Sequence, residues 1–142
     1  MITAMVVMEP GSDWPGRIGD STHVVAFGHG ADDLLLRTQR KIDAISRREA
    51  GIRVAILACS AATGGPTSDD RAELARTLLG AVRSTAHGKL ILSASARASL
   101  ELRRQLFSLA GSLSDELGGS SATVSLRFSE GSRRRLAAVD GR

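Results

Sequence analysis

A single cysteine and a histidine are the residues of this sequence best suited to nucleophilic chemistry. Cys59 follows the apolar run 52–58, and His29 comes just after another apolar run, 23–27, so both stand where a buried strand should end. A histidine beside a cysteine can take its proton, and the resulting thiolate is a strong nucleophile. Parallel neighbouring strands would bring both side chains to one edge of a sheet. Cys59 and His29 are therefore candidate catalytic residues.

The residues around this pair resemble the caspase-like clan of cysteine peptidases. That clan places a His-Gly pair after one strand and an Ala-Cys pair after a following strand, as His29-Gly30 and Ala58-Cys59 stand here. The cysteine of the clan is often followed by small residues and glycine, as in residues 60–65. The resemblance implies a cysteine-dependent hydrolase in which Cys59 and His29 carry the reaction.

Cys59 has a second interpretation, as a small hydrophobic residue of the core. A lone cysteine at the end of an apolar strand is usually buried, and burial raises the pKa of a thiol. Because the run 54–58 is apolar on both faces, strand alternation does not decide whether Cys59 points into the core or into a crevice beside His29. Only neutral residues separate Cys59 from Asp69, which favours the buried orientation.

Other common active-site motifs are incomplete. The run 28–33 has two glycines of a dinucleotide-binding loop but ends in Asp33, and the run 64–68 carries hydroxyl groups without the lysine of a P-loop. The three histidines lack metal-ligand spacing, and Cys59 has no cysteine partner. We therefore expect no cofactor and no metal.

Hydrophobic periodicity predicts the elements that position these residues. The middle apolar runs read as strands covered on both faces, whereas the last run alternates as a half-exposed edge strand does. Helical spacing predicts one helix over about 32–50 that ends at Gly51, a second from Thr67 or Ser68, and a third from Ser99. The five predicted strands are 2–8, 23–27, 52–58, 90–93 and 122–128, and the leucines expected to bury the third helix are Leu102, Leu106, Leu109, Leu113 and Leu117.

The order of these elements, β-β-α-β-α-β-α-β, predicts the fold class. Strands that alternate with helices imply crossover connections and a parallel sheet. We expect a three-layer α/β fold with a mainly parallel sheet of about five strands, in which the position of the first strand stays open. With 142 residues the chain can bury one core. Residues 1–130 are expected to form a single domain, and residues 131–142 a basic, flexible tail.

Ligands of parallel α/β sheets gather outside the carboxyl ends of the strands. Here the loops after three predicted strands consist mostly of small residues, which suits a crevice lined by backbone and hydroxyl groups and equally suits tight turns. The candidate ligand-binding residues in these loops are Gly28, Gly30, Ser60, Thr63, Gly64 and Ser95.

Composition indicates the source of the protein, its cellular compartment and the classes of partner it can bind. Lys41 and Lys89 are the only lysines among 19 basic residues, a bias typical of a GC-rich bacterial genome. The net charge of +4 is modest and does not favour nucleic acid as a partner. One cysteine cannot form an internal disulfide, which suits the cytoplasm. No apolar stretch approaches the roughly 18 residues that a membrane span needs.

Three classes of function are compatible with these features. Since each catalytic motif is incomplete, we favour a small bacterial binding or regulatory module, without enzymatic activity, that takes a small molecule or a protein at the carboxyl ends of its strands. The alternatives are a caspase-like hydrolase using Cys59 and His29, and an accessory protein that acts through a surface or its basic tail.

Overall fold

The structure, a computed structural model, describes residues 3–12, 21–26, 34–61 and 67–129. These ranges contain every predicted strand and helix, in the predicted order. The strands are β1 (Thr3–Met8), β2 (Ser21–Ala26), β3 (Val54–Ala58), β4 (Lys89–Ser95) and β5 (Thr123–Ser129), and the helices are α1 (Leu34–Arg48), α2 (Ser68–Arg83) and α3 (Leu100–Leu117).

The strands form one parallel sheet in the order β2-β1-β3-β4-β5. This confirms the predicted α/β class and the sheet of about five strands. The first strand, whose position the sequence left open, lies inside the sheet between β2 and β3, and the predicted edge strand β5 lies at one end. The direction of winding reverses between β1 and β3, and sheets of this order bind ligands at that switch point.

The central strands of the sheet are buried on both faces, in the three-layer-like arrangement expected from the sequence. On one face, residues such as Leu57 pack with apolar side chains from all three helices in one large cluster. On the opposite face, Val6, Ile56 and Ile91 form a second, smaller cluster. Because β1, β3 and β4 bury both of their faces, their sequences are apolar almost throughout.

Local signals explain where the helices begin and end. The hydroxyl of Thr67 accepts a hydrogen bond from the Asp70 N–H at 3.1 Å and so caps α2, and Ser99 caps α3 in the same way. Caps of this kind contribute about 1 kcal/mol each. After α1, Gly51 has a φ of +100°, and a Cβ at this position would lie 2.5 Å from the Ser84 Oγ. The predicted end of α1 therefore requires glycine for both its conformation and its space.

Three further predictions concern the C-terminal tail, membrane-spanning segments and metal sites. The predicted tail, residues 131–142, lies outside the described residues, so the division at residue 130 stays a prediction. No helix within the described ranges is long and apolar enough to cross a membrane. In these same ranges, no group of three or more His, Cys, Asp or Glu side chains is placed to hold a metal ion.

Candidate functional site

The switch point of the sheet brings the ends of β1 and β3 together. The N–H of Glu9, directly after β1, donates to the Ala58 carbonyl at 3.0 Å. The N–H of Cys59, directly after β3, donates to the Ser93 carbonyl of β4 at 2.7 Å. Glu9 and Cys59 therefore leave the sheet side by side, at the edge where ligands of such folds bind.

A buried ion pair joins this edge to the first turn of α2. The Glu9 carboxylate accepts hydrogen bonds from the Arg71 Nε at 2.7 Å and from its Nη2 at 2.6 Å, a two-pronged geometry that only arginine provides. The side chains are 0% and 6% exposed, respectively. The Ser60 N–H donates a third hydrogen bond to this carboxylate at 2.9 Å. The negative charge of Glu9 is thus fully compensated within the protein.

Arg71 also reaches the loop after β3 and the helix α3. Its Nη2 donates to the Ser60 carbonyl at 2.9 Å, and its Nη1 donates to the Gln105 Oε1 at 3.1 Å. Burial works to lower the pKa of Arg71, but the hydrogen bonds and the charge of Glu9 outweigh it and raise that pKa above its ordinary value. One guanidinium therefore holds β1, the β3 loop, α2 and α3 in a fixed arrangement.

Sequence reasoning missed this ion pair, although each partner carried a signal. Glu9 directly follows the apolar run 2–8, but Pro10 and Gly11 come next, so a charged residue here indicates the start of a loop. Arg71 lies three and four residues before Leu74 and Ala75, on the face by which α2 packs into the core. An arginine on a buried helical stripe requires a partner, because an unpaired buried charge is costly. The partner, 62 residues away along the chain, could not be chosen without the strand order.

Cys59 lies next to this ion pair and is itself buried. Its side chain belongs to the large core cluster, and the residue is 3% exposed. The thiol donates to the Leu57 carbonyl at 3.5 Å. Burial raises the pKa of Cys59 well above its ordinary value, the charge of Glu9 raises it further, and the charge of Arg71 opposes this. The buried orientation favoured by the sequence is confirmed, and these surroundings disfavour the reactive thiolate.

A small cavity lined by both polar and apolar residues opens beside Cys59, outside the ends of β3 and β4. It has a volume of about 250 Å³, and we call it the serine cavity. A second cavity of about 310 Å³ adjoins it and shares Ser60 and Ser99 with it, while Arg71 and Glu101 line only the second one. The polar residues that line the serine cavity are Ser12, Cys59, Ser60, Ser95, Arg97 and Ser99.

The structure brings three of the predicted site residues together around this cavity. Cys59, Ser60 and Ser95 come from the ends of neighbouring strands, as the parallel topology requires. Sequence reasoning did not name Arg97, which lies just beyond Ser95 and is exposed. The other predicted residues lie outside the described part of the chain, and they are Gly28, His29, Gly30, Thr63 and Gly64.

The fold and the site define a parallel α/β domain with a small cavity at the carboxyl edge of its sheet, next to the switch point. Comparisons with models of known protein families, with curated proteins and with solved structures give no match to this chain. Its function therefore has to follow from the chemistry of the site itself.

The environment of Cys59 predicts slow alkylation of the folded protein. Iodoacetamide should modify Cys59 slowly at neutral pH and rapidly after unfolding in urea, as followed by mass spectrometry of quenched samples. The native rate should stay low near pH 8.5, where an ordinary thiol ionises. Stability should fall above that pH, because the unfolded thiol then releases a proton that the folded one keeps.

The His29→Ala variant is the control for this measurement. Since the burial of Cys59 and the charge of Glu9 set its reactivity, the native rate should be unchanged in the variant. Rapid native alkylation that His29→Ala slows would contradict this expectation and establish a working cysteine–histidine pair.

Proposed function

We propose that this chain is a small binding or regulatory module whose ligand occupies the serine cavity. The observation that carries the proposal is the convergence of serine hydroxyls and the exposed guanidinium of Arg97 outside the ends of β3 and β4. Preformed cavities with a few convergent polar groups at this edge are the usual ligand sites of parallel α/β domains.

The charges around the two cavities favour a small anionic ligand. Arg71 is neutralised by Glu9, so among the described residues that line the two cavities Arg97 provides the uncompensated positive charge. The adjoining cavity carries the carboxylate of Glu101 and suits a neutral polar part of the ligand. Hydroxyl and guanidinium donors bind carboxylate and phosphate oxygens well. A volume of about 250 Å³, just below the range of pockets for drug-sized molecules, suits a small anionic ligand.

The surroundings of Cys59 support a binding role over the alternative of a cysteine hydrolase. A hydrolase of that type needs a thiolate, whereas burial and the neighbouring Glu9 keep this thiol protonated. A free buried cysteine suits the bacterial cytoplasm as the setting of the module. A small molecule or a protein segment bearing an anionic group would be its partner, rather than nucleic acid.

Titration with succinate and with inorganic phosphate tests the proposal and separates carboxylate from phosphate recognition. In ¹H–¹⁵N spectra, we expect saturable shifts at Ser60, Ser95 and Arg97 with at least one of the two anions. Arg97→Gln should weaken that binding about tenfold or more, because it removes charge-assisted hydrogen bonds.

The control is Arg83→Gln, which removes the same charge from an exposed position in the last turn of α2. This variant should bind as the unsubstituted chain does. The absence of saturable shifts with both anions, or an equal loss in both variants, would show the proposal to be wrong.

A further inference from the structure

The outer edge of β5 is open in the part of the chain that the structure describes. β5 ends the sheet, so no described strand pairs with its outer N–H and C=O groups. Val124, Leu126 and Phe128 pack on the helix side and stay half-buried, while Ser125 and Arg127 alternate with them and are exposed on the opposite side. An open edge with an apolar face is a template for another strand.

Apolar side chains next to this edge are also left exposed. Phe107 of α3 is 60% exposed, and its ring lies 6.0 Å from that of Phe128, measured between centroids. The Arg103 guanidinium stacks over the Phe128 ring, 4.4 Å from its centroid. Leu100, two turns of α3 before Phe107, is 63% exposed. The exposed apolar surface of the helix layer thus continues the apolar face of β5.

We propose that β5 pairs in antiparallel fashion with β5 of a second copy of this chain. A two-fold axis perpendicular to the sheet would join the two sheets into one and keep all helices of both copies on the same side. The proposal concerns a surface distinct from the serine cavity and does not depend on the proposed function.

The sequence of β5 complements itself in the register that pairs all seven of its residues. In that register Leu126 lies on the axis, and Val124 faces Phe128 of the second copy. On the opposite side of the sheet, Arg127 faces Ser125 of the second copy, so the arginines do not oppose each other. Cross-strand apolar pairs stabilise antiparallel sheets, whereas like charges placed opposite one another destabilise them. This charge arrangement favours a second copy of the chain as the occupant.

The helix layer leaves room for this pairing at the axis. Leu126 precedes Phe128 by two residues, which is about 6.6 Å along a strand. The same distance along α3 is about four residues, which leads from Phe107 to Gly111. Gly111 is exposed, and a Cβ added to it would meet no atom within 4 Å. The residue of α3 level with the axis is therefore the smallest one, which allows the two α3 helices to approach closely.

Two substitutions at one exposed position test both the dimer and its register. Ser125→Glu would place a carboxylate opposite Arg127 of the second copy, and Ser125→Arg would place a like charge there. By symmetry each change acts twice, so we expect the dimer Kd to fall about 2- to 30-fold for Ser125→Glu and to rise by a similar factor for Ser125→Arg. Sedimentation equilibrium of the full chain over a range of concentrations measures the Kd.

Ser108→Glu is the matched control, because Ser108 is exposed on α3 and lines a cavity with residues of α2, such as Asp69, and none of β5. It should leave the Kd unchanged. Opposite effects of the two Ser125 variants would support the proposal. A chain that stays monomeric at every concentration reached, a dimer insensitive to both variants, or a dimer weakened equally by both would overturn it. Thermal unfolding of each variant verifies that the fold is intact.

Discussion

Replacing Arg71 with leucine should lower the free energy of unfolding by about 3–5 kcal/mol, the cost of removing one partner from a buried ion pair. The substitution leaves the Glu9 carboxylate buried without its guanidinium and removes the hydrogen bonds to the Ser60 carbonyl and to Gln105. Desolvation of an unpaired charge, rather than the lost attraction alone, accounts for most of this loss. Urea unfolding followed by far-UV circular dichroism measures it.

Arg76→Leu is the matched control for this experiment. Arg76 lies on the same helix and also contacts carboxylates, those of Glu73 and Glu116, but its side chain is 45% exposed. Exposed ion pairs contribute roughly 0–1 kcal/mol, so the control should change stability by no more than that. Similar losses for Arg71→Leu and Arg76→Leu would show that the Glu9–Arg71 pair is not desolvated as the structure has it.

The double variant with Glu9→Leu and Arg71→Leu separates unpaired charge from lost attraction. Removing both partners leaves no buried charge, and buried ion pairs are often replaced by apolar residues at little cost. The double variant should therefore recover part of the stability that Arg71→Leu loses. The Ser60 N–H, which donates to Glu9, loses its acceptor, so recovery should be incomplete.

The elements of this fold could be predicted because their signals are local. The apolar run 54–58, the cap at Thr67 and the glycine at position 51 each act over one strand or one helical turn. The position of β1 could not be predicted in the same way. Its run is apolar, as a central strand requires, but β3 and β4 have the same character. Which of several apolar strands are neighbours depends on contacts between distant parts of the chain.

In the candidate site, too, some residues could be predicted from local signals and others could not. Residues such as Ser60 and Ser95 could be predicted because the carboxyl ends of parallel strands always meet at one edge. The Glu9–Arg71 pair depends on which strand β1 lies beside and on the rotation of α2, and neither is encoded locally. Cys59 shows the consequence. Its neighbours in sequence are neutral; burial raises its pKa, and the carboxylate that raises it further follows another strand.

Replacing Leu106 with alanine should lower the free energy of unfolding by about 2–5 kcal/mol, the range for a leucine truncated in a packed core. The structure confirms burial for four of the five leucines of the predicted α3 stripe and shows that Leu109 is only partly buried. Leu109→Ala should therefore lower the free energy of unfolding less than Leu106→Ala, although the spacing of the leucines predicts both in the core. Leu100→Ala, at a position 63% exposed, is the control and should change stability by less than about 0.5 kcal/mol. Thermal and urea unfolding of the three variants rank the losses.

An order in which Leu100→Ala or Leu109→Ala costs as much as Leu106→Ala would mean that α3 is rotated relative to the sheet. It would also move Phe107 away from the edge of β5, so this ranking checks the surface proposed for the dimer by a measurement independent of association.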